Sequence, residues 1–213
     1  TRKESSAASD VYKRQQSTVE EPGLHFGFYE TPQRLRLKAK ALGLDLETLE
    51  ERGALHIMWQ PTTEGLLDGL GARVINAVRE KGIKRLHIDS LGGMARVATG
   101  SARLIEFFSA LMSQLRAMGV TVFATWEMRD LFAAEINAPA PELSSIVDNL
   151  VLMRFVEKDA ELKRLLSILK MRDSRYDPSL LEVVISDHGI ELSKAFRHAA
   201  GALSGNAVPA QDA

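Results

Sequence analysis

Residues 84–97, with the sequence KRLHIDSLGGMARV, decide the fold. Their strand-like start has an apolar body, Leu86-His87-Ile88, and ends in an acid, Asp89. Open α/β sheets bind their ligands outside the carboxyl ends of their strands. We therefore predict a strand over residues 84–89 and expect function to gather around Asp89.

The segments around this strand alternate between strand-like and helix-like patterns. From Leu104 to Met118, apolar residues recur at steps of three and four, so this helix must pack on a sheet. Thr31-Pro32 is typical of the start of a helix, and Gly82 is typical of the end of one. We predict strands over residues 23–29, 54–58 and 120–126 and helices over 32–42, 45–52, 64–81 and 104–118.

After residue 126 the pattern changes. Residues 128–143 contain Pro139 and Pro141 and are predicted to form a loop. Strand-like segments then follow one another without helices over residues 149–156, 162–171 and 180–185, which predicts an antiparallel extension of the sheet. A short helix is predicted over residues 193–203, with a tail from Ser204. The predicted fold class is α/β, a mostly parallel sheet with flanking helices and an antiparallel C-terminal extension.

Composition excludes several classes of function. With 213 residues, 45% of them apolar, the chain can bury one sizeable core. There is no cysteine, which excludes disulfides, thiolate metal sites and cysteine nucleophiles. The net charge of −1 argues against a strong electrostatic grip on nucleic acid. No apolar run is long enough for a membrane helix, and no signal peptide is visible, so we expect a cytoplasmic protein.

The N-terminal residues are unlike the rest of the chain. Residues 5–15, SSAASDVYKRQ, have no hydrophobic period and read like one translated frame of a sequencing adaptor. We interpret residues 1–18 as a non-native segment of this kind, with an ordinary disordered N-terminus as the alternative.

Four segments resemble the KaiC-type ATPase domains of the RecA superfamily in their order and spacing. They read GLHFGFYETPQRL, KRLHIDSLGGMARV, SSIVDNLVLMRFVE and LLSILKMRDSRYDPSLLEVVISDHGIEL. The ending is most similar to the second domain of double-domain KaiC proteins. This resemblance implies a RecA-like three-layer fold, a partial ATPase domain over residues 19–192, and a terminal helix and tail over residues 193–213.

The resemblance also implies a site for ATP and Mg²⁺ at the strand ends. Asp89 and Ser90 match the Walker B pattern, in which the carboxylate holds magnesium. Thr125 and Glu127 match the strand end that senses the γ-phosphate. Glu30 matches the second of two adjacent glutamates that orient the attacking water, but the first is replaced by Tyr29, and a phenol is a poor base at neutral pH. From the residues alone, Asp89 could simply cap a turn and Glu30 could favour a helix N-terminus.

Two further groups match KaiC positions in the C-terminal part. Lys170 and Arg172 match the element that in KaiC hexamers reaches the neighbouring subunit's nucleotide, and their spacing of two puts them on one strand face. The family's glycine after this arginine is Asp173 here, an acid that would weaken such a finger. Ser144 and Ser145 match the autophosphorylated pair of circadian KaiC, although a cap or turn is the more ordinary role for two serines before a strand.

The phosphate-binding P-loop of such ATPases has the motif GxxxxGK[ST], which does not occur in the 213 residues. We expect the P-loop upstream of Val19. The resemblance implies a KaiC-like ATPase module of a ring-shaped homo-oligomer, with a homo-hexamer as the expected form and regulatory proteins as further partners. The chain by itself is expected to bind ATP poorly. A non-catalytic regulatory scaffold and a RadA-like recombination ATPase are the alternatives. The basic residues on the first predicted helix are spread around it, which disfavours nucleic-acid binding.

Overall fold

A computed structural model describes residues 17–61, 66–98, 101–127, 143–158, 161–186, 189–193, 199–200 and 208–209. The chain divides into two compact units, one of residues 15–127 and one of residues 1–14 and 128–213. The domain boundaries predicted from the sequence stay predictions.

The first unit is built on a parallel sheet of four strands in the order β2-β1-β3-β4. These strands are β1 (Gly23–Gly27), β2 (Leu55–Trp59), β3 (Arg85–Asp89) and β4 (Thr121–Ala124). The helices are α1 (Pro32–Ala41), α2 (Leu46–Glu51), α3 (Leu67–Lys81), α4 (Leu91–Ala95) and α5 (Ser101–Ala117). This alternation confirms the α/β, RecA-like fold class.

One row of side chains in the two central strands forms the core of this unit. Leu24 lies opposite Leu86 and Phe26 opposite Ile88 in the register of β1 and β3. All four side chains are at most 2% exposed. The apolar faces of α3 and α5 are buried as well, as their helical periods predict, through Leu70, Val74, Val78, Phe108, Leu111 and Leu115.

Local signals determine the ends of several helices. Asp45 caps α2, because its Oδ1 accepts a hydrogen bond from the Thr48 amide at 3.1 Å. Gly82 ends α3 in the left-handed conformation, with φ at 63°, as a C-terminal glycine does. Thr31 precedes Pro32 at the start of α1 but makes no capping hydrogen bond through its side chain. The start predicted for α3 at Glu64 lies outside the described residues, and the sequence pattern does not predict α4.

The second unit contains α6 (Leu143–Ile146) and an antiparallel sheet in the order β5-β6-β7-β8. Its strands are β5 (Asn149–Lys158), β6 (Glu161–Met171), β7 (Leu181–Ser186) and β8 (Gly189–Ser193). The sequence predicts antiparallel pairing for β5, β6 and β7. In the structure these strands pair in this way, and β8 joins them in the same sheet. The loop predicted over residues 128–143 lies outside the described residues except for its last residue.

The helix predicted over residues 193–203 is wrong where the structure describes this range. Ser193 ends β8, and β9 (Ala199–Ala200) pairs with β10 (Val208–Pro209). Ser193 pairs with Glu182, and Ala199–Ala200 pairs with Val208–Pro209. This strand pairing outweighs helical propensity, which is only a weak local preference. Among the helices of the described residues, none is both long enough and apolar enough to cross a bilayer.

Candidate functional site

Asp89 and Thr125 meet at the carboxyl edge of the parallel sheet. Each follows or ends one of two neighbouring strands, β3 and β4. The Thr125 hydroxyl donates a hydrogen bond to Asp89 Oδ1 over 2.8 Å, across 36 positions of sequence. The Thr125 amide also donates to the Ile88 carbonyl at 3.1 Å. The hydroxyl bond orients the Asp89 carboxylate, as a metal-binding acid requires, and the amide bond joins the two strand ends.

The segment after β1 is tied to the same edge. The Phe28 amide donates to the Asp89 carbonyl at 3.1 Å, so residues 28–30 run beside the end of β3. Glu30 forms a salt bridge with Lys38 on α1. Glu30 follows the end of β1, and its carboxylate is paired with a cation, which opposes a role as a base.

The turn from β3 into α4 packs closely on this segment. Ser90 is buried and precedes α4, and the Asp89–Ser90 peptide bond is cis. The Leu91 amide donates to the Thr125 carbonyl at 2.9 Å, which joins the turn to β4. A Cβ at Gly93 would lie 2.9 Å from the Phe28 Cβ and closer still to its ring. Only glycine lets α4 approach the segment after β1 at this distance.

A pair of histidines lies beneath the acid on the same side of the sheet. His25 and His87 are opposite each other in β1 and β3, and their Nδ1 atoms are 3.0 Å apart. Burial, followed by repulsion from His87, lowers the pKa of His25 to about 4, although Asp89 raises it. Burial also lowers the pKa of His87. Both imidazoles are therefore neutral at pH 7, and one ring donates to the other.

Sequence reasoning missed this histidine pair. The two residues are 62 positions apart and become neighbours only through the register of β1 and β3. Their shared distance from the strand ends, two residues before Gly27 and two before Asp89, was the signal that could have found them.

The oxygen donors at this edge fit a magnesium ion. Mg²⁺ prefers one or two carboxylates and keeps several waters. Asp89 supplies such a carboxylate, and its Oδ1 is already oriented by Thr125. Among the described residues, no group of three or more histidine, cysteine, aspartate or glutamate side chains could hold a metal ion. An ion here would be held by Asp89 and, for the rest, by ligand oxygens and water.

The remaining strand-end residues have simpler surroundings. Glu127 is exposed two residues beyond Thr125. The Trp126 ring packs edge-on against Phe108 of α5, with centroids 6.3 Å apart. This contact supports the interpretation of Trp126 as a packing residue rather than an adenine platform.

Lys170 and Arg172 lie in the second unit and both contact the segment before β5. Lys170 Nζ donates to the Val147 carbonyl at 2.9 Å, and Arg172 Nη2 donates to the Ser145 carbonyl at 3.3 Å. Arg172 also pairs with Asp148 at 3.5 Å. Arg172 lies one residue beyond the end of β6, and the placement of both cations on one strand face stays a prediction. The two cations also hold the segment that carries Ser145.

The backbone around these cations is irregular. The register of β5 and β6 shifts between Leu150 and Val151, a bulge that re-aims the side chains beyond it. Asp173 has φ at 60°, the left-handed region that glycine adopts without cost. A glycine is what the KaiC resemblance expects at this position. Ser145 is exposed, and the side chain of Ser144 lies outside the described residues.

Comparison with known proteins gives one consistent family. A family model described as "ATPase: KaiC" matches residues 9–196. The circadian clock oscillator protein KaiC of Thermosynechococcus vestitus is 31% identical over 186 residues, 87% of this chain and 35% of that protein. The same protein of Acaryochloris marina is 30% identical over 181 residues, 84% of this chain and 34% of that protein. Circadian clock protein KaiC3 of Synechocystis sp. is 30% identical over 183 residues, 85% of this chain and 36% of that protein. The chain therefore spans about a third of the length of these relatives.

Proposed function

Because this chain belongs to the KaiC family of ATPases, we propose that it is an ATP-binding and ATP-hydrolysing module that works at the subunit interfaces of a ring. The observation that carries the proposal is the Thr125–Asp89 hydrogen bond at the carboxyl edge of the sheet. It gives an oriented carboxylate next to a hydroxyl at the place where α/β sheets bind nucleotides.

Asp89 would hold the magnesium ion of MgATP, which neutralises charge that develops on the phosphates during transfer. Thr125 keeps the carboxylate in position and couples it to β4. Glu30 would orient the attacking water, which requires its carboxylate to leave Lys38. Lys170 and Arg172 would contact the triphosphate of a neighbouring copy, so they would exchange the carbonyls of Val147 and Ser145 for phosphate oxygens.

The proposed assembly is a homo-oligomeric ring, with six copies as the expected number, and regulatory proteins as further partners. Ser144 and Ser145 are the proposed sites of autophosphorylation, and phosphate found on either serine by mass spectrometry after incubation with MgATP would support this part. Binding of nucleic acid is not proposed. The cytoplasmic location expected from the sequence stays a prediction.

ATP hydrolysis tests the proposal directly. The 213 residues contain no GxxxxGK[ST] motif, whose backbone amides and lysine cradle phosphates, so we expect essentially no turnover from the chain alone. A protein that adds the native sequence upstream of Val19 should hydrolyse ATP, and Asp89→Asn should reduce its rate about 100-fold or more. An active protein whose rate is unchanged by Asp89→Asn would contradict the proposed site.

A non-catalytic scaffold is the second candidate, and two observations favour it. Tyr29 replaces an acid, and Glu30 is paired with Lys38. If native DNA upstream of Val19 encodes no P-loop, and the longer protein forms rings without hydrolysing ATP, the scaffold is the correct function.

A further inference from the structure

Arg96 is an exposed cation at the edge of the sheet that carries Asp89. It follows α4, the short helix that begins two residues after Asp89, and its amide donates to the Gly92 carbonyl at 3.2 Å. Gly93 of the same helix packs on Phe28. Because Phe28 is itself hydrogen-bonded to Asp89, the position of Arg96 is tied to the candidate site through two close contacts.

The Arg96 side chain is held by an aromatic ring and not by an acid. Its guanidinium carbon lies 5.6 Å from the centroid of the Tyr29 ring, within the range of a cation–π contact. Tyr29 is 47% exposed and directly precedes Glu30. No carboxylate among the described residues forms a salt bridge with Arg96.

This manner of holding an arginine has a chemical consequence. A guanidinium has five N–H donors in its plane, and a carboxylate partner would occupy two of them. An aromatic ring attracts the cation but does not occupy its N–H donors as a carboxylate would. Tyr29, at the place of a glutamate in the KaiC resemblance, therefore contacts Arg96 without pairing with its donors as an acid would.

We propose that Arg96 contacts the phosphates of the nucleotide at this edge and that Tyr29 is its positioning residue. The inference rests on the proposed function, because it adds two residues to the same site. It also assigns a use to Tyr29, which as a phenol cannot replace the missing acid as a base.

Nuclear magnetic resonance tests the inference on the chain as it stands. The ¹⁵Nε–H signals of the arginine side chains are followed while MgATP, or inorganic tripolyphosphate in a second series, is added to millimolar concentration. The Arg96 signal should move and saturate. Arg79 is the control, because it lies in the last turn of α3, before β3 begins at the opposite edge of the sheet. Its signal should stay in place.

Variants separate contact from positioning. Arg96→Ala should weaken MgATP binding and lower the unfolding midpoint only slightly, because it also removes the exposed contact with Tyr29. Arg79→Ala should change neither the binding nor the midpoint. Tyr29→Ala should weaken binding about two- to fivefold, the value of an exposed cation–π contact, and Tyr29→Phe should bind like the parent chain because it keeps the ring. Equal binding by Tyr29→Ala and the parent would overturn the positioning role.

The same titration distinguishes failure of this inference from failure of the proposed function. If the amide signals of Asp89, Leu91 and Thr125 move with MgATP while Arg96 moves no more than Arg79, Arg96 is not a phosphate contact and the site stands. If no signal at this edge moves with either ligand, the Arg96 inference fails, whereas the proposed function is decided separately by ATP hydrolysis in the longer protein.

Discussion

The two sheets bury their apolar residues in different ways. In the parallel sheet, the central row formed by Leu24, Phe26, Leu86 and Ile88 is almost completely buried. In the antiparallel sheet, burial alternates along β5, and one face of the sheet leaves apolar side chains 48–60% exposed at Val151, Met153, Leu162, Ile185 and Ile190. Parallel strands connected through helices are covered by those helices, whereas antiparallel strands can keep one open face.

This difference extends to the two groups of candidate site residues. Asp89 and Thr125 stand at the ends of buried parallel strands and are oriented by each other. Lys170 and Arg172 stand beyond a bulge and are engaged with carbonyls of their own unit. The first group is positioned in advance, whereas the second must exchange partners before it can act on a ligand.

The largest expected effect is on the free energy of unfolding, when an isoleucine of each sheet is replaced by alanine and the two losses are compared. Ile88→Ala should lower the free energy of unfolding by about 2–5 kcal/mol, because it opens a cavity beside Phe26 and Leu86. Ile190→Ala should cost less than about 1 kcal/mol, because that side chain is 54% exposed, whereas Ile88 is 0% exposed. Urea unfolding followed by circular dichroism measures both values. Equal losses would show that the open face is covered in solution.

The second prediction is that lowering the pH reduces the free energy of unfolding through the protonation of His25 in the parallel sheet. Its pKa is about 4 in the folded chain against an ordinary value of 6.5, so the unfolded chain binds more protons between these values. The stability that comes from neutral His25 is complete above pH 6.5 and is lost as the pH falls toward 4. Between these pH values, the His25→Phe chain should lose less free energy of unfolding than the parent chain does, by up to about 3 kcal/mol.

His56→Phe is the matched control, because His56 is less buried and its pKa is lowered less clearly. Unfolding measured at several pH values between 7.5 and 4 would decide. If His25→Phe and the parent chain lose stability in parallel over this range, the histidine pair is not buried as the structure shows.

The third prediction is that replacing two glycines of the parallel unit by alanine changes the free energy of unfolding in opposite directions. Gly93→Ala should destabilise the chain by about 1–3 kcal/mol, because the new methyl would overlap Phe28. Gly69 lies in α3, and apart from its two neighbours in the chain and the backbone of its own helix, no atom lies within 4 Å of the position that a methyl group would take. Gly69→Ala should therefore stabilise by about 0.5–1 kcal/mol through helix propensity. Thermal unfolding of both variants checks the signs. A neutral Gly93→Ala would mean that α4 does not pack on Phe28.

The smallest effect is expected beside the cations of the second unit. Asp173 is an L-residue at φ of 60°, and Asp173→Gly should relieve this strain and stabilise by up to about 1 kcal/mol. The substitution also removes an acid next to Arg172, so in a longer, active protein the rate of ATP hydrolysis should not fall. Unfolding measurements give the first value. A loss of stability would mean that the Asp173 side chain supports this turn.

Much of the secondary structure was predictable because its signals are local. The apolar run that ends at Asp89, the cap at Asp45 and the stop at Gly82 each depend on a few neighbouring residues. The helix predicted over residues 193–203 failed at Ser193 because pairing with β7 is a long-range interaction that a local pattern does not contain. The short helix α4 was missed for a related reason, since glycine is a poor helix former and the packing of Gly93 on Phe28 is a long-range contact.

By itself, the sequence determined the order of strands and helices, the acid at the end of β3 and the resemblance to KaiC domains, because these depend on residue types and their spacing. Only the tertiary structure decided that Thr125 holds Asp89, that His25 meets His87, that Lys38 pairs with Glu30 and that Tyr29 holds Arg96. Three of these four contacts join different strands or loops. Their existence follows from strand register and helix packing, which the free energy of the whole core determines.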